Sequence, residues 1–141
     1  MPRTRRLQSH IVVADPRPRD YRQLLALAGE FGWHVHLLLS GAAALQFARR
    51  MAADLWLING HLDDMSGCDL VAMLRELPVR SPLFLIGNHY DAEEERKACA
   101  CGAGTYLCKD AARSLDCQPV VAALANRGPP QPAEVTRRAV G

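Results

Sequence analysis

The sequence predicts an α/β domain, a parallel sheet covered on both faces by helices. Three observations carry this. Short apolar runs alternate with stretches in which apolar residues recur every three or four positions, five of each along the chain. The central run, Leu55-Trp56-Leu57-Ile58, is apolar on successive residues, as befits a strand covered on both faces. The segments between runs are long enough to be crossover helices, which parallel neighbours need.

"HIVVA", residues 10–14, is the first strand, and "DPRPRD" the loop after it. Tyr21, Leu24, Leu25, Ala28 and Phe31 keep a helical spacing, so a helix is expected from Asp20 to about Glu30, stopped near Gly32. "HVHLLL", residues 34–39, is the second strand. Ser40 can cap a helix that carries Ala44, Leu45, Phe47 and Ala48 inward. After the third strand, Leu70, Val71, Leu74 and Leu77 mark a helix broken at Pro78, and "PLFLIG", residues 82–87, is the fourth strand. Asp91-Ala-Glu-Glu94 reads as a capping box, with Glu93–Glu95 ahead of Arg96 and Lys97 in the sense the helix dipole favours. Residues 103–108, "AGTYLC", form the fifth strand. Leu115 to Asn126 form the last helix, with Pro119 in its first turn.

The domain therefore spans residues 9–126. A basic segment, residues 1–8 with Arg3, Arg5 and Arg6, precedes it, and a proline-rich tail or linker, residues 127–141, follows. At 141 residues, 49% apolar and 23% charged, the composition suits one soluble domain. A net charge of +2 is too small to argue for nucleic acid. No apolar segment has the length of a membrane span or sits behind the N-terminal arginines like a leader, so a cytoplasmic location is expected. The five cysteines are odd in number and irregular in spacing, which suits a reducing compartment. Cys99 and Cys101 lie two apart on a predicted helix, where side chains diverge, so neither a disulfide nor a zinc site follows. Of the histidines, His10, His34 and His36 lie on strands, while His61 and His89 fall in loops near the strand ends.

In an open parallel sheet, ligands bind beyond the carboxyl ends of the strands, where strand order reverses. The residues at those ends are Asp15, Asn59, Gly87 and Lys109. Asn59 closes the apolar run in "ADLWLINGHLDDMSG", residues 53–67, and Lys109 follows "ACGAGTYLC".

With Gly67 and Lys109 in place and five strands in order, residues 9–126 resemble the receiver domain of two-component response regulators. The resemblance implies a chemotaxis-regulator-like, flavodoxin-like fold: a doubly wound five-stranded parallel sheet in the order 2-1-3-4-5 with five helices, three layers in all. It also implies a site. The family's acidic, magnesium-binding pair aligns with Ala14-Asp15, its phosphorylated aspartate with Asn59, and its switch hydroxyl with Gly87. Its switch aromatic aligns with Tyr106, and its lysine, which meets the phosphoryl oxygens, with Lys109.

The departures point one way. An amide at Asn59 cannot form an acyl phosphate, a reaction that needs a carboxylate nucleophile and magnesium. Ala14 and Asn59 remove two of three carboxylates, leaving Asp15 as the one residual metal candidate, so magnesium is expected to bind weakly or not at all. Gly87 lacks the relay hydroxyl, and Asp15 and Lys109 are free to neutralise each other. The family's Lys-Pro bond is commonly cis. Here Asp110 replaces the proline, and since a cis bond would cost roughly 3–4 kcal/mol, a trans bond and a shifted loop are expected. Asp63 and Asp64 are read as a solvated turn, with Asp64 or Ser66 capping the following helix. Asn59-Gly60 is a dipeptide prone to deamidation, which would regenerate an aspartate. Tyr106 either sits inward permanently in the space Gly87 leaves or is an ordinary half-buried tyrosine.

The expected function is that of a pseudo-receiver: no enzyme, no cofactor, acting through a protein partner or output domain. The resemblance places the contact face on helix 4, strand 5 and helix 5, with Glu93, Glu94, Arg96, Lys97, Tyr106 and Lys109, as a homodimer interface or the dock of an output domain. The alternatives are a receiver made phosphorylatable by deamidation of Asn59 or by a nearby Asp, and a flavodoxin-like cofactor protein. "DPRPRD" offers that last reading no glycine or hydroxyl to cradle a phosphate.

Overall fold

Five strands form one parallel sheet in the order β2-β1-β3-β4-β5. They are β1 (His10–Ala14), β2 (His34–Leu38), β3 (Leu55–Asn59), β4 (Leu83–Gly87) and β5 (Thr105–Cys108). The computed structural model describes residues 8–127. Apart from Gln8, the basic N-terminal segment lies outside the described residues, as does the proline-rich C-terminal segment beyond Arg127.

Side chains alternate between the two sheet faces, which explains why the central strands are apolar at every position. Val12, Ala14, Trp56, Ile58, Leu83 and Leu85 share one face with Ala44, Leu70, Val71, Leu74 and Ala98. Ile11, Val13, Leu55, Leu57, Phe84 and Ile86 share the other with Tyr21, Leu24, Leu115 and Val120. All five residues of β3 and all five of β4 are buried, whereas the edge strands β2 and β5 hold no fully buried residue. Each fully buried aliphatic side chain in these layers contributes roughly 1.5–3 kcal/mol of transfer free energy.

The helices are α1 (Arg22–Phe31), α2 (Gly41–Arg50), α3 (Gly67–Glu76), α4 (Ala92–Cys101) and α5 (Gln118–Arg127). The step from β1 to β2 runs one way along the sheet, and those from β2 through to β5 run the other. Right-handed crossovers therefore put α1 on one face and α2, α3 and α4 on the opposite one. Helix α5 then covers what α1 leaves bare.

The helix ends differ from expectation at three places. The first helix opens as a 3-10 turn, Pro18–Tyr21, before α1 proper, and Gly32 ends α1 at φ 76°. The last helix starts at Gln118 rather than Leu115, because Leu115 pairs with Lys109 in an isolated bridge and is buried in the core. The capping box of α4 is half formed: Asp91 accepts from the Glu93 and Glu94 amides, but the Glu94 carboxylate turns elsewhere. Ser40 caps α2 and Ser66 caps α3, as expected. Asp64, by contrast, caps α2, the helix before it in the chain, taking the amides of Gly41 and Ala42 at 2.9 Å each.

Candidate functional site

Parallel register brings the strand ends together. Ala14 stands beside Ile58, Asn59 beside Ile86, and Gly87 beside Cys108. Backbone hydrogen bonds extend the sheet into the following residues: Asp15 N–H to Leu38, Gly60 N–H to Ile86 and Lys109 N–H to Gly87. The side chains of Asp15, Asn59 and Lys109 thus leave the sheet at one edge, on backbone that cannot drift.

The Lys109 ammonium is the centre of this edge. Its side chain is 0% exposed, and its Nζ lies 2.9 Å from Asp15 Oδ2 and 2.9 Å from Asp20 Oδ2. It also stands 5.4 Å above the centre of the Tyr21 ring. Removing an ammonium from water costs several kcal/mol unless it is paired and hydrogen-bonded, and here two carboxylates and a ring face offset that cost. Arg17 and Arg113 approach Asp20 from outside at 3.7 and 4.0 Å.

Asp15 is saturated by donors. Its Oδ2 accepts from Tyr21 OH at 2.7 Å and Asn59 Nδ2 at 3.0 Å as well as from Lys109, and its Oδ1 accepts from the Arg17 amide at 2.8 Å. Burial, reinforced by the Asp15 charge, raises the Tyr21 hydroxyl well above its ordinary pKa, so Tyr21 stays protonated and donates. The Asn59 amide is oriented by chemistry: its NH2 donates to Asp15 and to Asn88 Oδ1 at 3.0 Å each, while its oxygen accepts from the His61 amide at 2.8 Å. Every polar atom of that side chain is engaged, and an aspartate could not make the two donations.

These residues do not fit a magnesium ion. Magnesium needs several hard oxygen ligands in near-octahedral array. The two carboxylates available, Asp15 and Asp20, are already bridged by an ammonium, and Asn59 turns its nitrogen toward them. Among the described residues no group of three His, Cys, Asp or Glu converges as a metal site. The peptide bond before Asp110 is trans, as expected. Asp110 then builds the next turn by accepting from the Ala112 and Ser114 amides.

A second cluster adjoins the first. Tyr106 OH donates to Glu94 Oε1 at 2.8 Å, and Glu94 Oε2 lies 3.1 Å from His61 Nε2. A Cβ on Gly87 would lie 2.5 Å from the Tyr106 hydroxyl and 2.8 Å from Glu94 Oε1, and one on Gly60 would also meet the Glu94 carboxylate. The side chain missing at Gly87 is therefore the space the Tyr106 hydroxyl fills. Tyr106 itself is half-buried, with its hydroxyl turned into this space. Burial, with the Glu94 carboxylate nearby, holds its pKa above the ordinary phenol value.

Glu94 is thus not a free surface residue: its side chain is 13% exposed and faces the strand ends. Lys109, too, leaves the contact face expected for it and is buried. Glu93, Arg96 and Lys97 do remain exposed, Arg96 lying 3.4 Å from Glu93. Ala14 is buried in the core, and Asp63 is exposed. Sequence reasoning missed Asp20, Tyr21 and Asn88 as site residues. A second acid in the loop after β1 was the available signal for Asp20, since a buried lysine needs more than one partner.

The geometry opposes deamidation. Ring closure requires the Gly60 nitrogen to attack the Asn59 side chain. That nitrogen donates to Ile86 O at 2.9 Å within the sheet, and Gly67 packs against the Asn59 carbonyl and Gly60 Cα. The cysteines are free thiols. Burial, followed by contact with Cys101, pushes Cys68 up to about 12, and burial pushes Cys117 up to about 11. Both thus behave as apolar groups.

Solved structures share this architecture. The receiver domain of Francisella response regulator 1452 superposes with a TM-score of 0.71 at 17% identity, covering 84% of this chain and 94% of that one. The signal receiver domain of the response regulator NarL from Mycobacterium tuberculosis gives 0.70 at 23% identity, covering 85% and 98%. At these identities the likeness shows the fold. In sequence, the chain is 27% identical over 106 residues to the signal transduction histidine-protein kinase BarA of Escherichia coli K12, and equally to that of Shigella flexneri. The aligned part is 74% of this chain and 12% of those proteins, so the chain spans about an eighth of the length of the curated relatives it matches. The response regulator receiver domain family matches residues 11–116, and the chain, with its five-stranded sheet in the order 2-1-3-4-5 and its lysine-centred pocket, belongs to that family of two-component signalling modules.

Proposed function

We propose that this domain is a pseudo-receiver, which signals by contact with a protein partner or output domain and carries out no phosphoryl transfer. The observation that supports this most directly is the pocket's internal closure. Lys109 is held between Asp15 and Asp20, and Asn59 completes the network with its amide. An acceptor must offer a nucleophilic oxygen, and a metal must find open carboxylates; this pocket offers neither. The module is accordingly not an enzyme and needs no cofactor. In this reading it works in the cytoplasm; none of the described helices is long and apolar enough to cross a membrane.

Contact falls to the surface of α4, β5 and α5, the face that Tyr106 shapes from beneath. Glu93, Arg96 and Lys97 supply exposed charges of both signs there, suited to a partner or to a second copy of the chain. With Tyr106 already inward and bonded to Glu94, the face is held in one arrangement and needs no switching event. The test is an amide NMR spectrum of the full chain before and after addition of phosphoramidate and magnesium. The expected result is no change at Gly87, Tyr106 or the α4 amides. A shift of that set on adding the phosphodonor overturns the reading.

A further inference from the structure

At the opposite, amino edge of the sheet lies a cavity of about 550 Å³, within the size range of small-molecule sites, roughly 300–1,000 Å³. It opens between the end of α2, the segment leading into β3 and the loop from α3 to β4. Its lining includes Ala53, Leu77, Val79 and Trp56, and Arg49, Arg50 and Arg80 stand at it with no carboxylate among the lining residues. Arg49 and Arg50 also suit the C-terminal end of α2. Arg80 belongs to no helix, and none of the three guanidinium groups has an ion-pair partner among the described residues.

Two further observations concern the cavity itself. Trp56 is 1% exposed, and its indole nitrogen is the one buried side-chain polar atom without a hydrogen-bond partner among the described residues. Such an orphan donor is uncommon in a native interior. The wall is also fixed in place. Arg75 donates to Val79 O at 2.7 Å and Ser81 O at 3.1 Å, and reaches Gly102 O, so the 77–81 loop is clamped to α3 and to the end of α4.

We infer that this cavity binds a small organic anion with a flat apolar body, an aromatic carboxylate in class. The guanidinium groups carry paired donors that match a carboxylate, the apolar side chains of Ala53, Leu77 and Val79 take the ring, and the buried Trp56 indole, whose N–H is unpaired, belongs to the lining. The inference is independent of the pseudo-receiver reading, since the cavity shares no residue with the Lys109 pocket.

The test uses the full chain labelled with 15N, following the indole N–H peak of Trp56, which Trp33→Phe identifies by elimination. The probe is 2-naphthoate, with neutral 2-naphthamide and a hexaglutamate peptide as comparisons. The expected result is a saturable shift of the Trp56 indole peak by naphthoate, with at least about tenfold weaker binding of the amide and of naphthoate to Arg80→Ala or Arg50→Ala. Retention of the native spectrum elsewhere shows that those variants fold. No saturable shift, equal binding of the amide, or binding unchanged in both arginine variants overturns the inference. A shift by hexaglutamate without one by naphthoate also overturns it, in favour of an acidic protein partner.

Discussion

Asp20 Oδ2 lies 2.9 Å from the Lys109 ammonium, a buried contact between residues 89 positions apart in the chain. It ties the loop after β1 to the end of β5, and with Asp15 it turns the pocket into a closed ionic network. A carboxylate that is already the partner of a buried lysine is poorly placed to serve a metal ion as well.

Replacing that carboxylate tests the network. Asp20→Asn keeps the shape and removes the charge, leaving Lys109 with Asp15 alone. Breaking a buried pair by deleting one partner costs about 3–5 kcal/mol, and the surviving Asp15 contact puts this change near or below the low end. Urea unfolding should show a loss of about 2–3 kcal/mol. Lys109→Met added to Asp20→Asn should cost less than the sum of the two single changes, because they share one interaction.

Gly87 and Tyr106 form a matched pair. Gly87→Ala places a methyl group 2.5 Å from the Tyr106 hydroxyl, so the ring must move outward. The expected loss is about 1–3 kcal/mol, read by unfolding, with a displaced Tyr106 ring in the NMR spectrum. In a Tyr106→Phe background the same methyl should cost less, since the hydroxyl is gone and Glu94 is released from it.

The first face of the sheet carries a pH response. His10 stacks with His34 and His36, and His10 Nδ1 lies 3.1 Å from His36 Nε2. Burial first, then His10 and His34, lower the His36 pKa from its ordinary 6.5. With the folded value below the unfolded one, the unfolded chain binds more protons between the two. The contribution of His36 is therefore whole above pH 6.5 and fades as pH falls toward the lower folded value. Urea midpoints measured from pH 7.5 to 5.5 should decline, and His36→Val should flatten part of that decline.

Asp64 gives the corresponding acid limb. Its two bonds to the Gly41 and Ala42 amides lower its pKa. Its stabilising effect is thus present above the ordinary carboxylate range and disappears as pH falls through the lowered value. Asp64→Ala should reduce Tm at neutral pH, and the gap to the native protein should close in strong acid.

How much of this was legible differs by residue. The strands were readable because burial on both faces forces apolar residues at successive positions, as in Leu55–Ile58. The gathering of Asp15, Asn59 and Lys109 followed from parallel topology, which brings strand ends to one edge. Asp20 was hidden because the spacing puts it at the start of a regular helix, whereas a 3-10 turn carries it and leaves it buried against Lys109. Glu94 sat in a capping-box pattern, yet a tyrosine and a histidine from other elements compete for its carboxylate. Asp64 reaches backward to α2, a contact set by how the loop after β3 folds over that helix. Asp20, Glu94 and Asp64 each take a partner from another element of the fold, where local periodicity carries no information.

The central claim, that the closed pocket takes no phosphoryl group, is tested most directly by intact mass of the protein after incubation with phosphoramidate and magnesium. The account predicts an unchanged mass, with Asn59 still an amide. A phosphoryl adduct on protein whose Asn59 is intact would contradict it.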